Sequence, residues 1–541
     1  MQPGSVPMSE QATKDHGHPD HPMGDPAAAA RVLAGLRDFD PVTALDDLGT
    51  YVDAVKKGIP GGDEQVRGEI LSLIQEAGEA HVSAVLARFV AHPRDRAARE
   101  SDWSTLNDYV RELAGTLCAS ARILLSKAAS TPSLQHAGAA GAARGLHTAR
   151  TLAKVYLLRY LTVPPKLWQV AYAVHGDAEK AGCATTAVRM HAAQKTTTTV
   201  TQELLRMLML QTSSPEMMTP EQIDAADRLI EHLGGDFTLR PPGVSDNPFC
   251  FDPASDHPPH RAPGQPPGPD SAIRYFGPGA GYDALDRLQH QLATASAADM
   301  KVLARDVPPN VQIAAVRHLH ESWGRESPHA PPVHKPATGT LQVIHGYGQI
   351  WQHISQVRSS GATELALVEE GDRAAAPAAP ETWALRDAGG NELGVEVAQS
   401  LSGRARCGDL LGVTLQGKNE CWVGMIRSLH AEPGRGLHVN ISVMSQQPQA
   451  VQLRPVIKKG EANVVSEAAA RQFDFKSVKA IIVSDGAGTQ KASYLLSLAS
   501  WEEGRVYEVT IGGATRFLRS LHVVRRGDDF VRAAFEWVQQ P

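Results

Sequence analysis

The chain has 541 residues, with 59 acidic and 53 basic side chains and a net charge of −6. That length is too great for one ordinary core and points to several domains. The missing basic excess argues against a protein held to nucleic acid by bulk charge, so no nucleic-acid partner is expected. Five scattered cysteines, Cys118, Cys183, Cys250, Cys407 and Cys421, make no CxxC pair, which predicts free thiols in a reducing compartment rather than a disulfide framework.

Residues 1–38 are polar and rich in Pro, Gly and His. They read as a disordered tail without the order of a signal peptide. Nowhere does the chain offer the roughly 18 consecutive apolar residues of a membrane span, and the expected location is the cytoplasm.

From 39 to 235 the periodicity is helical. Val66, Ile70, Leu73 and Ala77 make one apolar stripe, and Leu106, Tyr109, Leu113 and Leu117 make another. Leu146, Ala149, Ala153, Tyr156 and Tyr160 continue the pattern up to Pro164-Pro165, beyond which Trp168, Ala171, Tyr172 and His175 share a face. The aromatic residues Trp168, Tyr172 and Trp323 are expected to be packing anchors. Thr219-Pro220-Glu221-Gln222 is a helix start with a capping box, and Gly234-Gly235 ends that helix. The segment predicts a helical bundle or array.

Residues 236–271 are Pro-rich and aperiodic and read as a linker. Residues 272–338 predict a short helical region, with Leu285, Leu288 and Leu292 on one helix and Ile313, Val316, His320 and Trp323 on the next. Leu341–Ile344 reads as a short strand, and the Ala/Pro-rich stretch 370–381 as a loop. From Trp383 onward the period is two: Leu393, Val395 and Val397; Leu411, Val413 and Leu415; Leu437, Val439, Ile441 and Val443. Short alternating runs bounded by Gly, Asn and Asp predict a small antiparallel barrel over 339–454. A second β-rich domain is expected over 455–541. The fold class is therefore multidomain α+β, with a helical N-terminal half and small β-barrels in the C-terminal half.

Four runs of text in the first barrel carry a resemblance: WALRDAGGNELGVEV, CGDLLGVTL, CWVGMIRSL and GRGLHVNISVM. The stretch 383–445 resembles a PilZ domain, the bacterial cyclic-di-GMP-binding barrel. The resemblance implies a PilZ-like fold, cyclic-di-GMP as ligand and a signalling role exerted on a protein partner. It aligns Asp387 with the Asp/Asn of the family's (D/N)xSxxG element and Gly394 with its glycine, displaced by a short insertion. Arg386 is the arginine nearest that turn and the cation available to a phosphate. Arg386, Asp387 and Gly394 are thus the candidate ligand-binding residues. The sequence departs from the family in placing Gly389 at the Ser position and Glu392 at the Gly position. It also lacks an RxxxR pair before Asp387, where Arg358 and Arg373 stand alone. These departures support a second reading, a ligand-independent scaffold or adaptor for protein partners.

No GxSxG, HExxH, catalytic-cysteine or EF-hand pattern is present, so no enzymatic activity and no cofactor are expected. The SDGAGTQKAS run at 484–493 lacks the order of a phosphate-binding loop and reads as a strand–turn–strand connection. His16, His18 and His21, with Asp15 and Asp20, form a tail cluster that a transition metal could use, although a plain polar tail is the expectation. Cys250, His257 and His260 fall short of the four ligands of structural zinc. Arg404, Arg406, Arg427, Arg435 and Arg454 make the first barrel locally basic, either as solvated strand ends or as an anion-facing surface.

Overall fold

The computed structural model describes residues 22–540, except 59–62, 92–95, 192–195, 242–246, 264–271, 295–306, 325–334, 360–378, 399–400, 402–403, 419, 432–435, 457–476, 484–490 and 512. The histidine cluster at 16–21, Arg373, Arg435 and most of the 484–493 run lie outside the described residues. The chain divides into two compact units, 1–330 and 331–541.

The first unit opens with α1 (Pro26–Ala34) and α2 (Pro41–Lys57), each started by the same chemistry. A proline takes the first helical position, and the preceding aspartate accepts the orphan N–H groups: Asp25 from Ala28 at 2.8 Å, Asp40 from Val42 and Thr43 at 3.1 and 3.2 Å. Then come α3 (Glu64–Ala91), α4 (Arg96–Ala128), α5 (Gln135–Leu157), α6 (Pro165–Lys180), α7 (Val200–Gln211) and α8 (Pro220–Leu233). The Thr219–Gln222 capping box at the head of α8 is present in both directions. Helices α4 and α5 approach closely because α5 offers glycine on its contact face. A Cβ on Gly145 would stand 2.9 Å from the Cys118 sulfur, inside van der Waals contact. Trp168, Ala171, Tyr172 and His175 are all buried on α6, as their spacing predicts.

The expected linker at 236–271 instead carries strands among its described residues. It contributes β1 (Thr238–Leu239), β2 (Phe249–Phe251) and β3 (His260–Arg261), which join β4 (Arg274–Gly277) in a sheet ordered β1-β4-β2-β3. Phe249, Phe251 and Phe276 are buried in the same core as the helices, and Tyr172 stacks on Phe251 with ring centroids 4.8 Å apart. Strands of two to four residues are too short to display alternation, which is why composition alone suggests a linker. Helices of the stretch 272–338 also join this core, through Leu285 of α9 (Gly281–Thr294) and Val316, Leu319 and Trp323 of α10 (Pro309–Trp323), whereas 335–338 opens a strand of the second unit.

The second unit consists of two closed antiparallel barrels, each six-stranded among the described residues. The first runs in the order β10-β7-β6-β5-β8-β9. Its strands are β5 (Lys335–His345), β6 (Glu381–Gly389), β7 (Glu392–Val397), β8 (Leu410–Leu415), β9 (Cys421–Ala431) and β10 (Leu437–Ser445). Strand β10 alternates buried and half-buried residues along its length, with Val439 and Ile441 fully buried. The second barrel runs β11-β12-β13-β16-β15-β14, from β11 (Gln449–Pro455), β12 (Val478–Val483), β13 (Lys491–Ser497), β14 (Val506–Ile511), β15 (Ala514–Arg526) and β16 (Phe530–Val538). The division expected at 454/455 therefore falls earlier. Strand β11 pairs with β12 and β14 and belongs to the second barrel.

Between the barrels lies α11 (Tyr347–Ser359), a helix whose Tyr347, Ile350, Trp351 and Ile354 follow helical spacing. Tyr347, Ile350 and Ile354 pack with Leu410 and Val423 of the first barrel and with Ile481, Leu495 and Phe530 of the second. The helix is pinned by polar contacts as well. Asp529 accepts the Tyr347 N–H at 2.6 Å, and the Tyr347 hydroxyl donates to the Lys479 carbonyl at 2.6 Å. Near this seam Asp409 accepts the Arg406 N–H at 2.9 Å, while Arg406 pairs with Asp528 at 3.5 Å. Burial pushes the Asp409 carboxyl up to about 7. The Arg406 charge opposes the rise and Asp528 and Asp529 add to it.

Two outcomes follow for stability. Val439→Asp places an unpaired carboxylate inside the first barrel and is expected to cost about 3–5 kcal/mol in urea denaturation; a wild-type midpoint would show the strand facing outward. The raised Asp409 carboxyl holds more protons folded than unfolded, so its contribution is complete below about pH 4 and is lost as pH rises through 7. Asp409→Asn retains the acceptor and should flatten the fall in stability between pH 5 and 8, by roughly 1–3 kcal/mol at pH 8. An unchanged pH dependence in that variant would refute the assignment.

Candidate functional site

The three candidate residues meet in the β6–β7 hairpin of the first barrel. Gly389 pairs with Glu392, leaving Gly390 and Asn391 as a two-residue turn with Gly390 at φ +58°. A glycine at positive φ in the first central position suits a tight hairpin whose strands twist together. One step inward, Asp387 stands opposite Gly394. A Cβ on Gly394 would collide with the Asp387 carboxylate, so the glycine is what allows that side chain to lie across the neighbouring strand.

Arg386 is set apart by a β-bulge. Leu385 pairs with Val395 and Asp387 with Gly394, so Arg386 is the extra residue on its strand. Bulges re-aim side chains beside sites, and here the guanidinium is 58 % exposed and bound to Glu396, with Nε donating at 2.7 Å. An exposed pair of this kind is worth at most about 1 kcal/mol, so the guanidinium can exchange Glu396 for another anion at little cost.

Three other described arginines are also matched to carboxylates. Arg427 pairs with Glu392, Arg404 with Glu381 at 2.9 Å, and Arg406 with Asp528. Arg454 is exposed on β11 and so sits in the second barrel. Glu381 is a buried hub: besides Arg404 it accepts the Trp383 indole N–H at 3.1 Å and lies 3.5 Å from His345, whose imidazole burial pushes below its ordinary range. The partners Glu392, Glu396 and Glu381 escape a sequence reading because each pairing crosses between strands or from a loop. Hairpin register sets Glu396 opposite Ala384, so the Arg386–Glu396 pair depends on the bulge that re-aims Arg386.

The remaining sequence candidates separate. Cys250 lies 3.4 Å from His260, while the His257 side chain is 82 % exposed and 3.5 Å from Asp256, and its backbone carbonyl accepts from the Tyr172 hydroxyl. No cluster able to hold a metal ion occurs among the described residues. All five cysteines are buried and none forms a disulfide. No helix among the described residues is long and apolar enough to cross a membrane.

Against known proteins, residues 27–243 match the family model described as "Cyclic-di-GMP receptor FimW, N-terminal domain". No curated protein and no solved structure gives a significant match. The match covers α1 to α8 and stops short of α9, α10 and the barrels. Residues 27–243 are therefore similar to the N-terminal domain of a cyclic-di-GMP receptor.

Proposed function

We propose that this protein is a receptor for cyclic-di-GMP that acts by binding rather than by catalysis, and that its first barrel is a PilZ-like ligand module. The observation that carries the proposal is the match of residues 27–243 to the N-terminal domain of a cyclic-di-GMP receptor. The barrel adds a fitting site: an exposed guanidinium on a bulge, Arg386, next to a carboxylate, Asp387, held over Gly394. The ligand carries two phosphates, for which Arg386 would release Glu396, and a guanine edge that Asp387 can accept from. The protein works in the cytoplasm and passes the bound state to a protein partner.

Affinity at this site is expected to be modest. Gly389 has no hydroxyl where the PilZ pattern has serine, and one missing hydrogen bond is worth about 0.5–1.5 kcal/mol. Glu392, though neutralised by Arg427, adds a carboxylate close to an anionic ligand. The adaptor reading draws on the carboxylate partners already held by Arg386, Arg404, Arg406 and Arg427.

Calorimetric titration of the full chain with cyclic-di-GMP at low salt tests the proposal. Wild type should bind, and Arg386→Ala and Asp387→Ala should each weaken binding about tenfold or more, since charge-assisted hydrogen bonds contribute about 1.5–3 kcal/mol. Tight binding that neither substitution disturbs would move the ligand away from this hairpin. A wild-type protein that does not bind would leave the adaptor role.

A further inference from the structure

In the second barrel β14 pairs with β15 from Ala514 to Arg519, and the loop before β14 adds backbone bonds from Gly504 and Arg505 to Ser520. Beyond that point, from Leu521 to Arg526, β15 is flanked by β16 alone among the described residues. His522, Val523, Val524, Arg525 and Arg526 are exposed in succession. Successive strand residues point to opposite faces, so water reaches both faces here. The stretch is nonetheless held at both ends. The buried Ser520 donates its hydroxyl to the Glu502 carbonyl at 2.6 Å. The turn beyond Arg526 is fastened by Asp528, 3.5 Å from Arg406, and by Asp529, which accepts the Tyr347 N–H.

A strand without a neighbour on one side offers its N–H and C=O groups to any chain that can pair with them. The first barrel has a comparable edge, since β5 pairs with β8 only from Leu341 onward. That edge carries Pro336 and Gly339. Proline removes a donor and glycine weakens a strand, so the edge is blunted. The β15 edge reads LHVVRR, with neither residue and with two β-branched valines. The exposed large hydrophobic side chains among the described residues are Phe39, Ile123, Val523 and Val524. Two of these are neighbours on this edge, where exposed apolar side chains and an open ladder coincide.

Charge selects the occupant. Residues 512–526 hold Arg516, Arg519, Arg525 and Arg526 and no carboxylate. Of the nearby carboxylates, Glu536 lies 3.5 Å from Arg519, and Asp528 is directed to Arg406. An incoming acidic strand is therefore attracted and a basic one repelled. A second copy of the chain would bring the same arginines and no carboxylate to meet them. Register shifts against β16 also leave Leu521 and Val524 as extra residues. Such bulges twist an edge and limit the length over which a ladder can extend, which suits a short segment better than a long self-paired sheet. An anionic lipid surface would meet Asp528 and Asp529 at the tip of the hairpin, the wrong charge for insertion.

We propose that the free edge of β15 at Leu521–Arg526 takes up a short acidic segment of a protein partner as an added strand. The backbone of the segment extends the sheet, its carboxylates meet Arg525 and Arg526, and Val523 and Val524 cover its apolar side chains. The edge is already held in strand form, so docking orders only the incoming segment. The proposal stands independently of cyclic-di-GMP binding at the β6–β7 hairpin.

Fluorescence anisotropy on the full chain tests it, with a labelled hexapeptide of alternating glutamate and valine as the probe. One control peptide carries lysine in place of glutamate. The other keeps the glutamates but is N-methylated at every residue, so it retains the charge and cannot extend a ladder. The probe should bind wild type and Arg386→Ala alike, and bind the double variant Arg525→Glu, Arg526→Glu at least tenfold more weakly. Both arginines are exposed, and an unchanged urea midpoint would verify that the double variant folds. The peptide controls are read on wild type alone. Equal binding of the lysine peptide would overturn the acidic assignment, and equal binding of the N-methylated peptide would overturn strand addition. Absence of probe binding at millimolar concentration would overturn the proposal. So would a wild-type dimer lost on Val524→Pro, which would give the edge to a second copy. Co-sedimentation with phosphatidylglycerol vesicles that the double variant abolishes would overturn it in favour of a lipid surface.

Discussion

A cation taken out of water has to meet a carboxylate, and α5 carries three buried ones. Arg144, Arg150 and Lys154 are each less than a tenth exposed. Their partners come from elsewhere: Glu76 and Gln75 on α3 for Arg144, Asp227 and Glu231 on α8 for Arg150, and Asp224 and Asp227 on α8 for Lys154. Removing one member of such a set leaves an uncompensated charge, at about 3–5 kcal/mol. This requirement ties α8 to α5 in a way that apolar contacts, which are not directional, do not. The neighbouring charges hold the Asp227 carboxyl down to about 2 despite its burial, so it stays ionised throughout the physiological range.

The same constraint acts in the first barrel at the opposite extreme of exposure. Glu381 is buried, and holds Trp383, Arg404 and His345 about it. Arg386 and Glu396 sit at the rim, where water competes for both. A pair that contributes little to stability is also one that a ligand can exchange, and the bulge at Arg386 places that exchangeable guanidinium beside the Asp387–Gly394 step. The two barrels share α11, whose Tyr347, Ile350 and Ile354 complete a core drawing on both. A change in strand positions on one barrel would therefore be felt at a surface common to the other.

Much of the architecture was legible in the order of residues because local periodicity reports burial directly. The stripes on α4 and α6 and the alternation of β10 correspond to the buried faces seen, and the capping box of α8 was readable from four consecutive residues. Where elements were short, the signal failed. The two- to four-residue strands at 238–277 hold Phe249, Phe251 and Phe276 in the core, yet proline content made the region resemble a linker. Helix α11 was missed although Tyr347, Ile350, Trp351 and Ile354 carry its spacing, because a single short helix among strands offers few repeats of the period.

The sequence by itself determined the helical and barrel halves, the capped helix starts, and the turn on which Arg386, Asp387 and Gly394 lie, since all of these depend on neighbours within a few residues. Tertiary structure decided which charges meet: Arg386 with Glu396, Arg427 with Glu392, Arg150 with Glu231 across 81 positions of chain. It also decided where the second barrel begins, because β11 is assigned by its pairing with β12 and β14 rather than by its own residues. A cavity among α3, α4, α5 and α8 belongs to the same class. Its walls come from helices far apart in the chain, which no local pattern encodes.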